Sequence, residues 1–226
     1  MEVAVQTAKR LVPQAEKGSH ERLAQRIIFA FNSLAKSASL AASMGDVSVR
    51  VPDAETILMT PLSLFVEGLT LNDLIEVTMG GRIVGRRGRP GFSAQIHLAI
   101  YKQRPDVEDI VHCHAPMATV LGLCELPIPP VTVDAVAFTD LPRVPPYIPP
   151  DKQWARELAA HLADGAPAAL LLNHGIVTVG GSLRQAVRRT LTLEETSRIF
   201  VACRLLQCVP PSLPPDAVEI LRQQSF

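Results

Sequence analysis

Apolar residues at helical spacing, Leu23, Ile27, Phe31 and Leu34, predict a helix that runs from Ser19 towards a stop at Gly45. Ser19 is the expected N-cap, although Arg22 stands where a capping box would carry glutamate or glutamine. Residues 1–18 lack this period and read as an N-terminal arm closed by Gly18, with 19–226 forming one domain. Downstream the pattern shortens. "DVSVRV" alternates, "ETILMT" is a buried run, and "DLIEVTMGGRIVG" reads as two strands joined at Gly80-Gly81. "PGFSAQIHLAIYKQRPD" predicts an amphipathic helix closed by Pro105, "VEDIVHCHA" a strand, and "PMATVLGLC" a helix. Beyond a proline-dense connection come a helix in "DKQWARELAAHLAD", a strand in "AALLLNHGIVTVGG", and a long helix with Ser182 as N-cap.

The connection "LPIPPVTVDAVAFTDLPRVPPYIPP" is apolar and stiff rather than rich in glycine and serine, so it is expected to pack on the body. Hydrophobic residues make up 47% of the 226, enough for a sizeable core. Lysine plus arginine number 22 and aspartate plus glutamate 22. That balance lacks the electrostatic footprint of a nucleic-acid binder or of a polybasic membrane segment. No apolar run is long enough to span a bilayer, no signal peptide is evident, and Cys113, Cys124, Cys203 and Cys208 match neither a zinc ribbon nor a disulfide framework. A reducing cytoplasm is the expected home.

The chemistry is in histidine. His112 and His114 lie two apart at the end of an apolar strand, so they share a face while Cys113 points away. Two imidazoles so placed can hold one metal; two polar residues on the wet face of an edge strand would show the same spacing. His174 in "LLLNHGIVTV" follows an apolar strand and precedes Gly175, where a turn would aim it out of the sheet edge. Three histidines with a fourth position open are the pattern of a catalytic metal site. Spacing alone does not bring residue 174 to the pair.

Taken in order, "GDVSVR", "ILMTP", "HLAIYKQRPDVEDIVHCHAPMATVL", "LLLNHGIVTVGGSLRQAV" and "TLEETSRI" resemble the class II aldolase and adducin family over about residues 20–208. That family includes fuculose-phosphate aldolases and ribulose-phosphate epimerases. The resemblance implies a three-layer α/β/α fold around a largely antiparallel sheet, assembly as a homotetramer with sites between subunits, and a divalent metal on His112, His114 and His174. Zinc is the first expectation, with manganese, cobalt or iron as alternatives. Non-catalytic adducin-like members lack this histidine set, so its retention favours an enzyme.

The departures are informative. Where family aldolases carry "PSSE", this chain has Pro90-Gly91-Phe92-Ser93, so the glutamate that binds metal and moves protons aligns with Ser93 and the phosphate-holding serines with Gly91 and Phe92. "GNVS" becomes "GDVS", putting Asp46 in place of a phosphate-binding asparagine. "TPTG" becomes "TPLS", with Leu62 and Ser63, and a family tyrosine aligns near Val133. A phosphate site needs donors and close backbone approach. An apolar surface and a carboxylate disfavour a dianion. A bound metal without the glutamate suits loss of carbon dioxide, which needs an electron sink and a late proton but no initial base.

The expected activity is therefore a metal-dependent lyase acting on a small carboxylic acid, a decarboxylase of a dihydroxyphthalate- or hydroxymuconate-type acid. His97, Ser93 and Asp46 are the candidate catalytic residues; Ser63, Phe92, Leu62, Arg89 and Tyr147 the candidate substrate contacts. His97 lies four residues after Ser93, on one helical face, and could instead be a structural histidine. Arg86, Arg87 and Arg89 offer a carboxylate clamp or simply a solvated basic loop. Asp46 either orients a substrate hydroxyl or caps a turn, and Tyr147 either reaches a neighbouring subunit's site or packs among prolines. His20 and His161, on helix faces expected to be exposed, are assigned no role. An aldolase or epimerase on a non-phosphorylated substrate, an iron-dependent oxygenase and an adducin-like assembly protein are the competing readings.

Overall fold

The computed structural model describes residues 17–36, 45–61, 69–85, 88, 90–146 and 151–224. Its centre is one eight-stranded sheet. In chain order the strands are β1 (Asp46–Arg50), β2 (Thr56–Met59), β3 (Ile75–Thr78), β4 (Ile83–Val84), β5 (Asp109–Cys113), β6 (Arg143–Val144), β7 (Ala168–Leu171) and β8 (Gly175–Gly180). They lie in the order β4-β3-β2-β1-β5-β8-β7-β6. Every pairing is antiparallel except β6 with β7. The sheet is thus mixed, and largely antiparallel as expected.

Six α-helices are described: α1 (Lys17–Lys36), α2 (Ser93–Gln103), α3 (Pro116–Leu123), α4 (Lys152–His161), α5 (Leu183–Leu205) and α6 (Pro215–Gln223). Strand alternation sends successive side chains to opposite faces and builds two cores. Val47, Val49, Val111, Cys113 and Ile176 meet α1, α3 and α5 on one face. Ile110, Ala169, Leu171, Val177 and Val179 meet α2 and α4 on the other. This is the three-layer sandwich.

Several expectations are corrected. Helix α1 is described over Lys17–Lys36, so Gly18 and Ser19 lie inside it and Ser19 is not the N-cap; residues 37–44, between it and the expected stop at Gly45, lie outside the described residues. Gly45 instead leads into β1 against the His112 carbonyl, where an added Cβ would sit 2.0 Å from that oxygen. "AALLLNHGIVTVGG" is two strands, β7 and β8, folded back at Asn173, whose φ is +60°. His20 is half-buried, with Nε2 3.3 Å from Glu76 Oε2. Ser182 does cap α5, accepting from the Gln185 N–H at 3.3 Å.

The proline-dense connection packs down as expected, through a 3-10 turn at Asp134–Phe138 and the short strand β6, burying Ile128, Val136, Phe138 and Val144. The expected arm, residues 1–16, lies outside the described residues.

Candidate metal centre and active site

The turn between β7 and β8 carries His174 back over the end of β5. The candidate ligand nitrogens of His112, His114 and His174 all lie within 4.8 Å of one another. Ring centroids are 5.3 Å apart for His112 and His114, 4.7 Å for His112 and His174, and 4.9 Å for His114 and His174. Two glycines permit this approach. Gly45 passes the His112 carbonyl, and at Gly175 a Cβ would meet the Cys113 carbonyl oxygen at 2.3 Å. Both contacts are to backbone, so neither yields to a rotamer change.

The donor chemistry fits a divalent cation. His112 Nδ1 lies 2.9 Å from the Ile176 carbonyl, which can only accept, so Nδ1 carries the proton and Nε2 keeps its lone pair. Burial, reinforced by His174 and His114 and opposed by Asp46, pushes the His112 pKa down to about 4. Burial likewise lowers His114 and His174. Three neutral imidazoles at neutral pH are what a metal requires. Cys113 faces the other core, and burial drives its thiol far above its usual pKa. That cluster contains no carboxylate.

Asp46 pairs directly opposite His112 across the β1–β5 ladder. His97 Nε2 lies 2.7 Å from Asp46 Oδ1. The Ser93 hydroxyl also hydrogen-bonds the Asp46 carboxylate. Burial would raise the Asp46 pKa; attraction to His97 and His112 and the hydrogen bonds from His97 and Ser93 outweigh it and leave it lowered. The three expected catalytic residues are therefore assembled together beside the histidines.

The structure also adds members not anticipated. Ser48 Oγ is 2.6 Å from His97 Nδ1 and 2.8 Å from the Tyr101 hydroxyl. Both were findable. Ser48 follows Asp46 by two on a strand, and Tyr101 continues the Ser93–His97 stripe at four-residue steps. Glu194 is another. Its carboxylate accepts from Met117 N at 3.0 Å and Ala118 N at 3.1 Å. It thereby caps α3, whose own N-cap position, Ala115, has no side-chain oxygen.

Phe92 is not shown at the histidines; its ring packs on Trp154 with centroids 6.4 Å apart. Val133 is half exposed beside the 3-10 turn. Leu62, Ser63, Arg86, Arg87, Arg89 and Tyr147 lie outside the described residues.

Fold and site together define an α/β/α protein with three histidines converging at the end of a central strand. The chain belongs to the class II aldolase and adducin family, whose N-terminal domain matches residues 25–201. It is 32% identical over 177 residues, 77% of this chain and 78% of the relative, to a 5-methylthioribulose-1-phosphate/5-deoxyribulose-1-phosphate aldolase of Rhodospirillum rubrum. It is 33% identical over 166 residues, 70% of this chain and 76% of the relative, to a 3-oxo-tetronate 4-phosphate decarboxylase of Escherichia coli. The crystal structure of YgbL from Klebsiella pneumoniae, whose activity is given only at the level of aldolase, epimerase or decarboxylase, superposes with a TM-score of 0.81 at 31% identity. It spans 90% of this chain and 99% of that one. No helix of the described residues is long and apolar enough to cross a membrane.

Proposed function

We propose that this protein is a metal-dependent carbon–carbon lyase that decarboxylates a hydroxy- or oxo-acid lacking phosphate. The carrying observation is the position facing Asp46 at the start of α2, where Ser93 offers a hydroxyl and not a carboxylate. Similarity to 3-oxo-tetronate 4-phosphate decarboxylases supports the reaction type. Replacement of the family's two phosphate-holding serines by Gly91 and Phe92 supports a substrate without phosphate, as a dihydroxyphthalate or a hydroxymuconate-type acid would be.

His112, His114 and His174 would hold the cation, zinc being the first expectation. When bound, it supplies Lewis acidity for the electron pair left as carbon dioxide departs. Asp46 stands next to His112 with His97 behind it, a carboxylate–imidazole pair beside the metal ligands that would orient the substrate. Ser93 orients that carboxylate. Assembly as a homotetramer belongs to the same reading, and light scattering tests it.

A second reading, aldol cleavage, is favoured by the similarity to the Rhodospirillum aldolase. Carbon dioxide release from dihydroxyphthalates, hydroxybenzoates, ring-cleavage oxo acids, 3-oxo-tetronate 4-phosphate and one phosphorylated sugar, before and after chelation, separates the two. Chelator-sensitive release from an acid without phosphate is the expected result. Release only from the phosphorylated acid overturns the substrate class, and aldehyde release from the sugar overturns the reaction.

A further inference from the structure

We propose that Cys203 and Cys208, brought together by the turn that ends α5, are a dithiol that a low-molecular-weight disulfide oxidises to an intramolecular disulfide. Neither cysteine belongs to the metal centre or takes part in the reaction assigned to it.

The backbone makes the pair. Helix α5 stops at Leu205, and two residues on Gln207 takes the left-handed conformation, with φ +56°. Around it the Cys208 N–H donates to the Cys203 carbonyl at 2.9 Å, and the Gln207 N–H to the Arg204 carbonyl at 3.0 Å. Two such nested bonds about one left-handed residue are the Schellman motif. In that motif the third-from-last helical residue and the second residue past the cap are the two whose side chains meet, commonly as an apolar contact. Here both positions hold cysteine.

The outer hydrogen bond also limits the distance between them. The N–Cα bond of Cys208, the 2.9 Å hydrogen bond and the Cα-to-oxygen span of Cys203, laid end to end, reach only about 6.8 Å. A disulfide bridges Cα atoms about 4.4–6.8 Å apart. The separation therefore does not exceed what the bond can span.

Reagents can reach this end of the helix. Cys208 is exposed and Cys203 half-buried. Leu205, Leu206 and Val209 around them are 79%, 79% and 83% exposed. The other two cysteines are placed differently. Cys113 is buried in the sheet, and Cys124 is exposed at the end of α3, where its N–H bonds back to Val120. Cys124 thus serves as an accessible thiol outside the motif.

The chemistry is two successive exchanges with a disulfide such as oxidised glutathione. Cys208, the more exposed thiol, loses its proton and attacks one glutathione sulfur; the glutathione S–S bond breaks and one glutathione leaves as a thiolate. Cys203 then loses its proton and attacks the Cys208 sulfur, forming the protein disulfide and expelling the second glutathione. The two protons go to the two released thiolates. Two electrons pass from the protein thiols to the glutathione disulfide, which ends as two thiols.

The product closes a short ring around Gln207, whose left-handed backbone is unfavourable for any residue but glycine. It holds the helix end in the reversal that leads on to Leu213, whose N–H bonds the Pro130 carbonyl at 2.8 Å. Oxidation therefore fixes a turn that the reduced chain can open.

The test treats the zinc-loaded protein with oxidised glutathione, blocks remaining thiols with N-ethylmaleimide and maps the tryptic peptides by mass. Arg204 lies between the two cysteines, so cleavage there leaves two peptides joined by the disulfide alone. The joined pair is expected, with glutathione on Cys124 and none on Cys203 or Cys208. Cys203→Ser should trap glutathione on Cys208. Hydrogen exchange of the Cys208 amide should slow about tenfold on oxidation, because the cross-link opposes opening of the turn, and recover with dithiothreitol. Phenylarsine oxide, which bridges paired thiols, should bind the reduced wild type and lose that site in Cys203→Ser. Separate glutathiones on Cys203 and Cys208 overturn the proposal, as does reaction of Cys124 while both stay reduced. So does equal binding of the arsenical by wild type and Cys203→Ser, or a Cys208 amide that oxidation leaves unchanged.

Discussion

Glu194 joins the longest helix to the metal centre, and its removal gives a sharp test. It is 2% exposed, and its carboxylate takes the first two free N–H groups of α3, those of Met117 and Ala118. Pro116, which has no N–H, opens that helix two residues after His114. Burial raises the Glu194 pKa; the N–H bonds from Ala118 and Met117 and the charge of Arg198 oppose this. In Glu194→Ala both N–H groups lose their acceptor inside the protein. Each such loss costs about 1–3 kcal/mol, and the helix dipole adds a few tenths, so about 3 kcal/mol should go. Urea unfolding of the metal-free protein should then show its midpoint falling by roughly 1 M. Because α3 anchors the residue after His114, zinc affinity measured by competition with a chelating dye should fall by about tenfold or more. Glu194→Gln keeps one acceptor and should lose about half the stability. If Glu194→Ala costs under about 1 kcal/mol and leaves zinc affinity unchanged, the cap is not what holds α3 and His114 in place.

His174→Ala should abolish zinc loading, read by elemental analysis, yet change stability by less than about 0.5 kcal/mol, since its side chain is exposed in a turn. Gly45→Ala puts a Cβ into the His112 carbonyl and should cost about 2 kcal/mol in urea unfolding together with weaker zinc binding. Asp109 is buried and its pKa is raised to about 6 by burial, with Glu108 reinforcing and Arg26 opposing. Its ionisation therefore destabilises the fold increasingly as pH rises from about 4 to 6. Asp109→Asn should gain about 1 kcal/mol relative to wild type at pH 7 and nothing near pH 4, where a larger loss at pH 7 would refute the assignment.

The site was legible where chemistry coincided with a short-range period. The i, i+2 histidines on an apolar strand announced a shared face, and Ser93 with His97 at four-residue spacing announced a helical stripe. His174 was legible as a residue but not as a neighbour, since the antiparallel register of β5 with β8 brings it in. The β7–β8 turn was hidden because apolar residues continue on both sides of Asn173, and only its left-handed backbone marks the reversal. Strand β6 has two residues, too few to alternate. Helix α6 buries none of its residues, so it lacks the core contacts that would fix its place in the sandwich. The substrate-contact expectations at Leu62, Ser63, Arg89 and Tyr147 fall on segments that no regular period defines.

The two ends of the sheet bear on behaviour in crowded solution. Strand β4 finishes one edge and β6 the other, each offering two residues of ladder. Among the described residues, an added strand from another molecule would find almost no edge backbone to template on, which disfavours edge-to-edge growth of a strongly apolar eight-stranded sheet. Self-association of the folded chain is thereby directed to helices and loops, whose side chains can discriminate between partners, and away from the backbone, which cannot.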